Sequence, residues 1–131
     1  MLTTGLVQFL LAQAPITALV GNAIQPIPAT EPYPCITYQM VSDVPQYTLT
    51  GTAGLSQARI VFDCFATNSK GGYLVARNIA LAVKAALSGY SGTLSDGTRI
   101  FFCEVVNVTD NFDNDALLSR SSVHVLVTYS D

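Results

Sequence analysis

A stripe of Ala76, Ile79, Ala80, Val83 and Leu87 repeats at helical spacing in the middle of the chain, between two pairs of alternating segments. That order limits the fold more than any other feature. The spacing predicts a helix over 71–87, with Arg77, Asn78 and Lys84 off the stripe. Its alanines let it lie close on a sheet. Upstream, 35–42 sets Ile36, Tyr38 and Met40 against Thr37 and Gln39, and 58–66 sets Ile60, Phe62 and Cys64 against Arg59, Val61 and Asp63. Downstream, 99–109 is very apolar (Ile100, Phe101, Phe102, Val105, Val106), and 121–129 aligns Val123, Val125, Val127 and Tyr129. The expectation is an α+β fold: a mainly antiparallel sheet of about four strands, one main helix packed on one face, and short N-terminal helices. With no internal repeat or boundary, 1–131 is expected to be a single domain.

The remaining segments read as connections. Thr3 or Thr4 can cap a first helix ending near Ala14, and Pro15 suits the first turn of a second, Ile16 to Val20, closed by Gly21. Four prolines between Gln25 and Pro34 predict an ordered but extended connection. Residues 43–57, rich in Thr, Gly and Ser, read as a long loop or a projecting hairpin. Asp110 to Asp115 reads as an acidic loop.

Charge is scarce: 11% of residues carry it, with six bases against nine acids. A typical soluble domain is about a quarter charged, and depletion of charge marks the buried centres of subunit interfaces. Much of the surface is therefore expected to meet other protein. The bases are scattered and form no patch that could hold phosphates, so DNA binding is not expected. Met1 to Thr30 contains no charge. It lacks the basic start of a signal peptide. Gln8, Gln13, Pro15 and Asn22 interrupt the roughly twenty-residue apolar run that a membrane helix needs. The segment is expected to be buried against the domain or a neighbouring subunit, and the cytoplasm of the producing cell is the expected place of synthesis.

No set of residues suggests catalysis. There is no phosphate-binding glycine loop, and Gly89-Tyr90-Ser91-Gly92 places its second glycine too early for a nucleophile elbow. His124, the one histidine, falls mid-strand. Cys35, Cys64 and Cys103 are widely spaced and odd in number, as small buried residues would be and as a disulfide framework or zinc site would not. The run Asp110 to Asp115 lacks the glycine and closing glutamate of a calcium loop. Asn107-Val108-Thr109 matches a glycosylation triplet but falls in a strand. Neither a cofactor nor a metal is expected.

Over nearly its full length the chain resembles the tail-terminator or tail-completion family of long-tailed phages, which includes lambda-type tail terminators and related head-tail joining proteins. The resemblance runs from Ile16-Thr17-Ala18-Leu19-Val20-Gly21-Asn22-Ala23-Ile24 through Tyr33-Pro34-Cys35-Ile36-Thr37-Tyr38 and Leu49-Thr50-Gly51. It continues with Arg59 to Ala66, the helix at 71–87, and Arg120 leading into Val123 to Tyr129. Cys35 departs from it, where a larger residue is expected after Tyr-Pro. The resemblance implies a structural protein with no catalytic residues, forming a homohexameric ring at the head-proximal end of the tail. Such a ring caps the tail tube, ends its polymerisation and offers a docking surface to the head. The implied partners are further copies of the chain, the tail tube protein and head-tail connector or neck proteins. DNA only passes through the channel, and no membrane is involved. Within that frame Tyr47, Thr48 and Leu49 are candidates for a subunit or tube interface, and Asp110, Asp113 and Asp115 for a channel or docking surface. The alternatives are another neck or adaptor protein or, in a different class, a small-ligand-binding or enzymatic α+β domain.

Overall fold

Four long strands form the centre of one curled sheet: β2 (Cys35–Thr48), β3 (Gly51–Thr67), β5 (Arg99–Asp113) and β6 (Leu118–Ser130). Two short strands flank them, β1 (Ile24–Pro26) and β4 (Gly92–Thr93), and the helices are α1 (Leu2–Leu11), α2 (Ala14–Val20) and α3 (Gly72–Leu87). This computed structural model describes residues 2–27, 33–48, 51–67, 72–113 and 117–130. The strand order is β1-β2-β3-β6-β5-β4. The β1–β2 pair is parallel and the others antiparallel.

Helix α3 lies on one face of the sheet, chiefly over β6 and β3. All five stripe residues are fully buried there, and Ile79, Ala80, Val83 and Leu87 share a core cluster with Ile60, Phe62 and Cys64 of β3 and Val123, Val125 and Val127 of β6. The uncharged N-terminal segment extends the same core. Leu2, Leu6 and Leu10 from α1 and Ile16 and Val20 from α2 are buried in it. The two helices are bent by 86° at their break, and no single helix among the described residues is long and apolar enough to cross a membrane. Pro15 starts α2, and Gly21, at φ 62°, ends it by donating its N–H to the Thr17 carbonyl over 2.8 Å. The ring of Phe9 packs on Tyr90 at 4.3 Å between centroids, fixing α1 to the turn after α3.

The expected four-stranded antiparallel sheet with one main helix is overturned. Among the described residues the sheet has six strands and is mixed, strand outweighs helix, and three helices accompany it. The two additional strands have three and two residues, too few to alternate visibly. Ile24 to Pro26 lies within the stretch read as a connection, and pairs in register with Ile36 to Tyr38. The long strands also outrun their apolar cores. The Thr- and Gly-rich stretch is a hairpin, β2 and β3 pairing as far as Thr48 with Gly51. Pro45, which has no N–H to donate, is tolerated on the outer strand of this hairpin, beyond the reach of β1 and next to the register shift between Pro45 and Tyr47. Likewise Asp110 to Asp113 continues β5 opposite Ser121 to Leu118.

Candidate functional site

The chemically notable side chains are dispersed. Cys35, Cys64 and Cys103 are free, fully buried thiols. Burial pushes the Cys35 thiol up to about 11 and Cys103 to about 12, and raises Cys64 further with help from the Asp63 charge. His124 is half-buried opposite Val61 and Asn107 on the face of the sheet away from α3. Asp63 on the same face accepts a hydrogen bond from the Ser122 hydroxyl. Among the described residues no group of His, Cys, Asp and Glu could hold a metal ion. One shallow depression lies between α2 and α3 (Gln13, Pro15, Ile16, Ala82, Ala86), another beside β4 (Thr93, Arg99, Phe101).

The surface is more informative. Four elements expose large apolar side chains: Leu19 on α2, Tyr73, Leu74 and Leu81 on α3, Phe101, Phe102, Val106 and Phe112 on β5, and Val41 and Val44 on β2. Leu74 is 68% and Phe102 51% exposed. The signal for α3 was present in the sequence, because Tyr73, Leu74 and Leu81 stand off the buried stripe where polar residues are expected.

The candidate residues fall on two of these regions. Tyr47 and Thr48 end β2, paired in backbone register with Thr52 and Gly51, while Leu49 lies outside the described residues. The hairpin is tied to the body of the sheet by the Tyr129 hydroxyl, which donates to Asp43 at 2.7 Å. Asp110 sits on β5, where Ser121 donates to it at 2.6 Å and Arg77 of α3 lies at 3.4 Å. Asp113 is the last residue of β5, and Asp115 lies outside the described residues. The structure therefore ties Asp110 to the start of α3 rather than leaving it in a free loop. Both partners of the ion pair are about one-third exposed, so Arg77→Ala is expected to cost less than about 1 kcal/mol. Chemical denaturation checks this. A loss of several kcal/mol would mean that the pair is shielded from water.

The family model of tail completion protein gp17 matches residues 4–130. The chain belongs to the tail completion protein gp17 family. This family is one of structural phage tail proteins, which is not an enzyme class. A search of curated proteins finds none that matches. Among solved structures, a chain of the "Virion of native gene transfer agent (GTA) particle" is similar, with a TM-score of 0.81 at 21% identity. The match covers 99% of this chain and 95% of that one. At that identity the likeness establishes a shared fold. This member of the family has, among the described residues, a six-stranded mixed sheet, with exposed apolar side chains on α3, β5 and β2.

Proposed function

We propose that this tail completion protein forms a homohexameric ring in the virion, at the head-proximal end of the tail, where it caps the tail tube and presents a docking surface to the head. Family membership over residues 4–130 carries the reading. The charge-poor sequence and the exposed apolar side chains of α3 and β5 support it, since each is what a subunit surface requires. In this reading the protein is synthesised in the host cytoplasm and meets the tail tube protein on one side and neck proteins on the other. Tyr47 and Thr48, at the far end of the hairpin, and Leu49 after them in the sequence reach a neighbouring subunit or the tube. Asp110, Asp113 and Asp115 border the channel. In a ring of six copies they place about eighteen carboxylates around one axis, of which the six of Asp110 are paired with Arg77. That charge repels DNA phosphates and lets DNA pass without sticking.

Cryo-electron microscopy of the particle tests the ring. The expected result is six copies around the tail axis next to the head, and a single copy or a position on a capsid vertex would overturn it. Changing Asp110, Asp113 and Asp115 together to asparagine tests the channel. Particles are expected to assemble and join normally but to deliver DNA poorly. Complete tails that fail to join heads would place the aspartates on a docking surface instead.

A further inference from the structure

The fold leaves two unlike surfaces without an intrachain partner, and their chemistries complement each other. On the outer side of α3, Leu74, Asn78, Leu81 and Ala85 follow at helical spacing and are all exposed, with Arg77 and Lys84 beside them. The helix has no acidic residue. On β5, Phe102 and Glu104 alternate along the strand on the side away from α3, and Val106 follows at the bulge between Val105 and Asn107; all three are exposed. Beyond Arg99, which stacks over Phe101 at 5.1 Å, β5 carries Glu104, Asp110 and Asp113 and no base. Arg77 and Asp110 already satisfy each other within the subunit. That leaves Lys84 and Glu104, neither with an ion-pair partner among the described residues, each flanked by exposed apolar side chains.

The margin of β5 is open as well. β4 covers only Arg99 and Ile100, and the turn after α3 bonds only Cys103, through the N–H of Gly89 and the carbonyl of Tyr90. From Glu104 onward the outer edge has no strand beside it among the described residues. An open strand edge is a hazard unless something covers it or charged side chains blunt it.

We propose that, in the ring inferred above, the outer face of α3 in one copy packs on the exposed margin of β5 in the next, with Lys84 facing Glu104 and Leu81 packed against Val106. The occupant of each surface is a second copy of this chain. The apolar parts match, and the free charges are opposite in sign. Because the two surfaces differ, the contact is heterologous and repeats head to tail, which is the kind of contact that closes into a ring. The sheet then has helices on both sides: its own α3 on one face, the neighbour's α3 at the margin of the other.

Charge reversal and cross-linking test the contact. Lys84→Glu and Glu104→Lys are each expected to reduce incorporation into particles by about tenfold or more, since like charges face each other across a packed surface. The double variant, with both charges exchanged, is expected to restore it. Independently, Leu81→Cys with Val106→Cys in one chain is expected to give a disulfide ladder of oligomers on oxidation of particles, because the native cysteines are buried. Leu81→Cys alone is expected to give none. Normal incorporation of both single reversals, or no ladder from particles in which a ring is seen, would overturn the interface while leaving the ring in place. Absence of a ring by microscopy would overturn the functional reading itself.

Discussion

Phe62→Ala is expected to lower stability by about 3–5 kcal/mol, the cost of emptying the space of a large buried ring. Phe62 is 1% exposed and heads the fully buried side chains by volume. It sits on β3, which pairs with both β2 and β6, and it belongs to the core cluster that also holds Ile79 and Val83 of α3. Rigid neighbours on every side leave little room for collapse into the gap. A domain of this size has only about 5–15 kcal/mol in total, so the variant is expected to be near the limit of folding at 37 °C. Urea unfolding checks it: the midpoint falls while the denaturant slope is unchanged. Phe102→Ala is the control. Half of that side chain is exposed in the free subunit, and its removal is expected to change stability by no more than about 0.5 kcal/mol. Equal effects of the two substitutions would contradict the core described here.

Alkaline pH is expected to unfold the protein steeply, through its three cysteines. Each thiol is held neutral in the fold, at about 11 for Cys35, about 12 for Cys103 and higher for Cys64, against an ordinary value of 9.0. Above pH 9 the unfolded chain releases protons that the folded chain keeps, so stability is whole below that pH and is lost as pH rises. Each thiol removes about 1.4 kcal/mol per pH unit in this window, and the three together remove about 4. Cys35 stops contributing once it ionises in the folded state near 11. Thermal melts from pH 8 to 11 measure the slope. Cys103→Ala is expected to flatten it by about a third at a small cost at neutral pH. The same burial predicts slow thiol labelling. At pH 8 a rise from 9.0 to about 12 leaves Cys103 roughly a thousandfold less thiolate. A slope that does not respond to removal of a cysteine, or native labelling at the rate of the unfolded chain, would sink this account.

The sequence by itself determined α3 and the four long strands, because each has one face in the core and its side chains show the period of its backbone. The helix begins at Gly72, one residue inside the range its stripe predicts. It also determined the burial of the apolar stripe of the N-terminal segment, since an uncharged run with broken hydropathy has few other places to go. Tertiary structure decided the rest. β1 and β4 exist only because a neighbouring strand supplies their hydrogen bonds. The Thr- and Gly-rich hairpin and the Asp110–Asp113 extension of β5 are held by backbone pairing, to which side-chain pattern contributes little. Thr37 lies on the face opposite Ile36, as its alternation predicts, yet both are fully buried. Period tells which face a residue takes, while the curl of the whole sheet decides whether that face meets water. The same holds for Leu74 and Phe102. Their identities could be read from the chain, but their exposure, and hence their availability to a neighbour, followed only once α3 and β5 had taken their places in the sheet.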